Sequence, residues 1–206
     1  MEIFGFQILP PPPSVMPVYN FENLVLMFFI FMVVGWIWEV IYTAATERVI
    51  AKRGMLHGPW LPIYGVGGIL VVLILNPFYR MPALVFVLAV TLCSTVEYST
   101  ALAIERFFGC RWWDYSEKFG NIRGRICLGG MLLFGLSGTI AVCSVAPVLN
   151  DSIDRIPRGP HRAIIIILSA IFIVDVVVSF LFPNRGKGVT YDIQKNSDKS
   201  DHSDDT

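Results

Sequence analysis

The chain has 206 residues, 54% of them hydrophobic and 16% charged, with a formal net charge of zero and a mean hydropathy of +0.61. Such a balance excludes an ordinary soluble domain, and a neutral chain offers no global electrostatic footprint for nucleic acid. Several apolar runs reach the ~20 helical residues needed to cross about 30 Å of hydrocarbon, so the class is a polytopic membrane protein.

The first 22 residues are expected to form an extracytoplasmic lead-in. They open MEIFGFQILPPPP, with no basic n-region and no small-residue cleavage site. The run Pro10–Pro13 favours an extended, polyproline II path. The first span is expected at Asn23–Thr46 and carries GWIWE, with Glu39 inside an apolar helix. A charge there is costly, roughly 3 kcal/mol or more at mid-helix, and it marks a pathway, a pocket or an ion pair. A basic segment follows, then RGMLHGPWLPIYGVGG. In it Arg53 and His57 precede a helix break expected from Gly58, Pro59, Pro62, Gly65 and Gly67, with Tyr64 among them. The second span, Trp60–Asn76, is the shortest and is expected to be tilted or discontinuous.

The third span, Ala83–Glu105, repeats features of the first. Glu97 lies about eight residues before Glu105-Arg106, as Glu39 lies about eight before Glu47-Arg48. At 1.5 Å per residue both acids sit roughly 12 Å below the same boundary. The loop RWWDYSEKFGNIRGRICL comes next, where Trp113, Asp114, Tyr115, Asn121, Arg123 and Arg125 mix charge with aromatic rings. It reads either as an anion site with aromatic walls or as an interfacial aromatic belt with anchoring arginines. The fourth span is expected at Ile126–Leu149 and the fifth at Ala163–Phe182, the latter with Asp175 as its single charge and Ser179 one turn later. Residues 184–206 are polar and aperiodic and are expected to form a disordered cytoplasmic tail.

These elements predict an all-α fold: an integral membrane bundle of five transmembrane helices at residues 23–183. A parallel repeat of two helical hairpins is expected, Gly65, Gly67 and Gly68 of the first answering Gly129 and Gly130 of the second. Basic residues alternate in density along the chain. Arg48, Lys52 and Arg53 follow span one, and Arg106, Arg111, Lys118, Arg123 and Arg125 follow span three. None precedes span one, and only Arg80 follows span two. The positive-inside rule then places the N-terminus outside and the tail in the cytoplasm. Cys93, Cys110, Cys127 and Cys143 have no CxxC spacing and are expected as free thiols; no metal site and no cofactor are expected.

Two carboxylates of matched depth, Glu39 and Glu97, suggest one polar pocket between spans one and three packed together. Glu105, Arg53, His57, Tyr64, Arg125 and Asp175 are further candidates for its lining or its cytoplasmic mouth. The bland reading gives each glutamate a separate packing role.

Taken together, GWIWE, RGMLHGPWLPIYGVGG, the glutamates of span three and RWWDYS followed by N-x-x-GRICL resemble the bacterial ABC-transporter type IV permease family. The resemblance covers roughly Phe21 to Asn150. It implies a small multi-spanning protein of the bacterial plasma membrane, a permease or small-molecule-binding transporter component. Lipid surrounds such a protein, and five spans suggest a homodimer or a membrane partner subunit. A dedicated ABC ATPase subunit is not favoured, because Glu47–Pro62 departs from the permease coupling loop in spacing and lacks its alanines. Two other readings stay open: a membrane-embedded enzyme acting on a lipid or lipid-linked substrate, and a non-catalytic scaffold or regulatory subunit.

Overall fold

The computed structural model describes residues 16–47, 54, 56–111 and 113–182, with short strands at Glu2–Ile3, Phe6–Gln7 and Tyr191–Asp192. Its body is all-helical. Helices α1 (Phe21–Glu47), α2 (Pro62–Leu75) and α3 (Pro82–Phe108) are followed by α4 (Leu128–Asp154) and α5 (Arg158–Leu181). Four of these are apolar and long enough to cross a membrane; α2, extended by a 3₁₀ turn to Phe78, is the shorter apolar fifth.

Each boundary has a local cause. The Asn20 carboxamide oxygen accepts the Asn23 N–H at 2.8 Å, satisfying an orphan donor at the start of α1, and Glu22 adds a favourable charge there. Prolines open α2 and α3 where no N–H is needed. Gly109 ends α3 in the left-handed region at φ 65°, its N–H returning to the Glu105 carbonyl at 3.1 Å. In α4 the backbone widens into one π turn at Ala141–Val145, just before Pro147. A proline ring inside a regular helix clashes with the carbonyl four residues back, and the wider turn relieves that clash.

Packing follows the glycines of α2 and α4. A Cβ on Gly65 would strike Phe28 and Met32 of α1, and one on Gly68 would strike Phe31. A Cβ on Gly135 would strike Phe86 and Val90 of α3, and one on Gly138 would strike Ala89. The missing side chains let the helix axes approach, as close packing in lipid requires. The offset from Phe28 to Phe86 is also that from Phe31 to Ala89, Met32 to Val90 and Glu39 to Glu97. Gly65 and Gly68 share a different common offset to Gly135 and Gly138. In each hairpin two glycines of the second helix thus face the first.

Three features differ from the sequence expectation. Helix α2 packs on both α1 and α3 and lies between them, so spans one and three are bridged rather than directly paired. It also runs unbroken through Gly65 and Gly67; the chain bends earlier, at Leu56–Pro59, and Pro62 merely starts the helix. Gly65 is a packing notch, while a Cβ on Gly67 would meet nothing within 4 Å. The glycines of α4 that match those of α2 are Gly135 and Gly138, not Gly129 and Gly130, which meet little or nothing.

Helix α5 leans chiefly on α1. Its Phe172 ring meets Phe28, Phe29 and Trp60 edge-on at 5.9–6.1 Å between centroids. Most of its length is exposed isoleucine, valine and phenylalanine, as suits contact with lipid. Within the segment expected to be unstructured, Tyr191–Asp192 pairs antiparallel with Cys110–Arg111. Arg53, Trp112, Pro10–Pro13 and the remainder of residues 183–206 lie outside the described residues.

Candidate functional site

The residues of GWIWE and of YGVGG meet each other. Gly35 has no side chain, and the Tyr64 ring fills the space a Cβ would take. That notch lets the Tyr64 hydroxyl reach one turn further along α1 and donate to Glu39 Oε1 at 2.6 Å. This short hydrogen bond ties α2 to α1. Tyr64 also meets Phe134 of α4 edge-on, with centroids 6.3 Å apart.

Glu97 is 5% exposed, on the inner face of α3. The Tyr115 hydroxyl, entering from the loop between α3 and α4, donates to Glu97 Oε1 at 3.3 Å. Glu97 Oε2 is buried without a partner, and so is Ser94 Oγ one turn earlier on α3. Burial pushes the Tyr115 phenol well above its usual range, and the charges of Glu97, Glu39 and Cys127 push it further. The structure thus forms two phenol–carboxyl pairs, Tyr64 with Glu39 and Tyr115 with Glu97.

The remaining candidates are held elsewhere. Glu105, two turns beyond Glu97, forms a clamp with two arginines. Arg111 Nε lies 2.7 Å from Glu105 Oε1, and Arg125 Nη2 binds Glu105 Oε2. Arg125 also donates to the Tyr98 hydroxyl at 3.2 Å and stacks its guanidinium on the Tyr98 ring, 5.2 Å from the centroid. The Trp113 indole N–H donates to the Arg125 carbonyl at 2.9 Å.

Asp114 anchors the turn around this clamp. Its partial burial disfavours the charge, but the Ser116 hydroxyl and N–H and the neighbouring Arg111 outweigh that and hold the carboxyl below its usual range. Asn121 braces the same turn, donating to the Ser116 and Lys118 carbonyls at 2.9 and 3.0 Å. Arg123 sits at φ 52° and Gly124 at φ 69°, and the Arg125 N–H closes the turn on Ile122. Two successive positive φ angles are the mark of a tight hairpin turn. Gly124 is needed twice over, since a Cβ there would also strike Asp114 and Ser116. Asn121 and Arg123 shape the loop and are not placed at the glutamates.

His57 and Asp175 form a third centre. Asp175 Oδ1 accepts the His57 N–H at 3.1 Å, and Oδ2 accepts the Gly58 N–H at 2.9 Å. Ser179 Oγ lies 2.8 Å from His57 Nδ1. The acid on α5 thus holds the bend that leads into α2. Sequence reasoning grouped His57 with Glu39; in the structure it turns to α5 instead. Beside Asp175 an open apolar groove of about 520 Å³ runs along Gly58, Trp60, Ile171, Val174 and Val178.

One polar cluster escaped the sequence reading. At the opposite end of the bundle, Asn23 Nδ2 donates to Asn150 Oδ1 at 2.9 Å and to Asp154 Oδ1 at 2.7 Å. Arg162 Nε pairs with Glu22 at 3.0 Å beside it. Asparagines at the edges of apolar runs were the available signal. Among the described residues, no group of three or more His, Cys, Asp or Glu could hold a metal ion, and Cys93, Cys127 and Cys143 are free thiols.

Neither a curated protein nor a solved structure matches this chain. A protein-family model does, over residues 26–180. The match reaches past the region the motifs had marked and takes in Asp175, so the third centre lies within the family's extent. With its four long apolar helices and this match over most of its length, the chain is a multi-pass membrane protein that belongs to the family described as "Putative ABC-transporter type IV".

Proposed function

We propose that this chain is a permease-like component of a bacterial plasma membrane, with the four residues Glu39, Tyr64, Glu97 and Tyr115 as its intramembrane polar site. The carrying observation is that two acids from different helices each accept a hydrogen bond from a phenol, Glu39 from Tyr64 and Glu97 from Tyr115. Isolated carboxylates facing lipid are costly; a common interior avoids that cost. Two carboxyl groups in one water-poor site do not both ionise without a counter-charge. Such a site suits a group that moves between charged and neutral states as something passes.

In this reading α2 is the fifth span, and the hairpins α1–α2 and α3–α4 are a parallel repeat about an axis along the membrane normal. The matched glycine contacts and the equivalence of Glu39 with Glu97 support it. Tyr64 and Phe134, which correspond under the same relation, touch near that axis. The Glu105 clamp and the Asp175-held bend fix the loops on the cytoplasmic face, with the N-terminus outside and the C-terminal tail inside. Helix α5 stands apart from the repeat and stabilises its first half. A membrane partner subunit or second copy completes a machine this small.

Alternating access is the discriminating property. Cysteines replace Thr43, on the loop side of the carboxyl pair, and Met32, on the far side, in a background without native cysteines. Both side chains are fully buried. In sealed vesicles of either orientation, a permease lets small thiol reagents reach Thr43→Cys from the cytoplasmic face and Met32→Cys from the outer face. Reaction from one face alone would replace the permease with a closed, enzyme-like pocket, and reaction from neither with a scaffold.

A further inference from the structure

Three acid centres occupy the loop-side half of the bundle. Two are internally satisfied. Glu105 and Asp114 are met by Arg111 and Arg125, and both oxygens of Asp175 are used by backbone N–H groups. The third is not. Glu39 and Glu97 have only hydroxyl partners, and no described basic side chain pairs with either. Glu97 Oε2 is enclosed and unpartnered, as is Ser94 Oγ one turn away on the same face of α3. An enclosed carboxylate oxygen and an enclosed hydroxyl left without partners are uncommon, because each forfeits its interaction with water.

We propose that this site binds one compact monovalent cation, an alkali-metal ion, at Glu97 Oε2 and Ser94 Oγ beside Glu39. The inference rests on the shared-pocket reading above and names what that pocket takes. The enclosed atoms left without partners are both oxygens, Glu97 Oε2 and Ser94 Oγ, and the Tyr115 hydroxyl lies on the same carboxyl group. Hard oxygen donors suit alkali and alkaline-earth ions rather than soft metals. Charge selects between those two groups. The two free atoms belong to one carboxyl group and one hydroxyl, and the single charge of a Glu97 carboxylate is neutralised by one positive charge. Among the described residues no group of three or more His, Cys, Asp or Glu stands ready to recruit a divalent ion. The other titratable groups facing the two acids are the phenols of Tyr64 and Tyr115 and the Cys93 thiol, with the Cys127 thiol beyond Tyr115, all neutral when protonated. A bound ion also ties α3 to the loop through Tyr115, so occupancy and loop position are coupled.

The test is calorimetric titration of the purified full-length protein with NaCl and with KCl, against choline chloride at constant ionic strength. A saturable response to sodium or potassium, absent with choline, is expected. Glu97→Gln should weaken it at least tenfold, and Ser94→Ala should weaken it severalfold while leaving the thermal midpoint in choline unchanged. Raising the proton concentration should compete with the ion. No saturable response in the wild type overturns the proposal, as does a Ser94→Ala titration identical to the wild type. The permease reading fails separately. One-sided cysteine access with cation binding intact would remove transport and keep the ion site, whereas two-sided access without binding would keep transport and remove the ion.

Discussion

Tyr64 occupies the notch left by Gly35 and donates its hydroxyl to Glu39, one turn further along the same helix, at 2.6 Å. The two motifs that dominate the sequence, GWIWE and YGVGG, are therefore halves of one contact. Gly35 supplies room, Tyr64 supplies the donor, and Glu39 receives it.

That relationship makes the notch sensitive to a single methyl group. Gly35→Ala should displace the Tyr64 ring and destabilise the protein by about 1–3 kcal/mol, the usual cost of overpacking a close contact. Tyr64→Phe should cost about 1–3 kcal/mol by leaving Glu39 without its donor. Gly67→Ala, where a Cβ meets nothing within 4 Å, should be neutral or slightly stabilising. Denaturation in detergent micelles checks all three. Equal effects at Gly35 and Gly67 would remove the notch from the account.

The clamp around Glu105 should behave as a unit. The side chains of Glu105 and Arg125 are each 11% exposed, so their pairing is poorly screened. Removing Glu105 leaves Arg125 nearly buried without its acid, an expected loss of about 3 kcal/mol, while removing Arg125 costs less because Arg111 still meets Glu105. Glu105→Gln with Arg125→Met should lose less than the two single losses added together. A double-mutant cycle on unfolding measures the difference; simple additivity would separate the two residues.

Asp114 gives the loop an acid limit. Its folded carboxyl is held below the ordinary value of about 3.9. A depressed carboxyl stabilises the loop above its unfolded pKa, and that contribution disappears as pH falls through the folded value. Proteolysis near Lys118 should therefore stay constant from neutral pH down to about 4 and rise below it. In Asp114→Asn that acid-dependent rise should be absent. An acid dependence unchanged by the substitution would contradict the assignment.

Topology has a direct check. In a background without native cysteines, a cysteine at Asp151 should react with an impermeant thiol reagent in intact cells, and one at Glu117 should not. Both positions are exposed on their loops or helix ends. Labelling at Glu117 from outside would invert the orientation.

The sequence made much of this legible, and the gaps have physical causes. Hydropathy located the four long apolar helices and the shorter α2 to within about five residues, because lipid imposes a length and a composition on a span. Matched depth singled out Glu39 and Glu97, and each accepts a hydrogen bond from a phenol. What hydropathy does not encode is who stands beside whom. That α2 separates α1 from α3 depends on small residues at Gly65 and Gly68, whose effect needs the facing side chains to be known. The correspondence with Gly135 and Gly138 was obscured by hairpin loops of unequal length. His57 was assigned to Glu39 by nearness in the chain, whereas Asp175, more than a hundred residues later, holds it. In the sequence Tyr115 reads only as a loop aromatic, and it is the fold that carries its hydroxyl back to Glu97.

The central claim, that Glu39 and Glu97 share one site, is tested most directly by infrared difference spectroscopy of carboxyl protonation in reconstituted protein. Spectra are compared for wild type, Glu39→Gln, Glu97→Gln and Tyr115→Phe. In a shared site, Glu39→Gln moves the pH at which the Glu97 carbonyl band titrates, Glu97→Gln moves that of Glu39, and Tyr115→Phe shifts the Glu97 band itself. Bands that titrate independently, each untouched by substitution of the other acid, would show two separate packing glutamates and contradict the account.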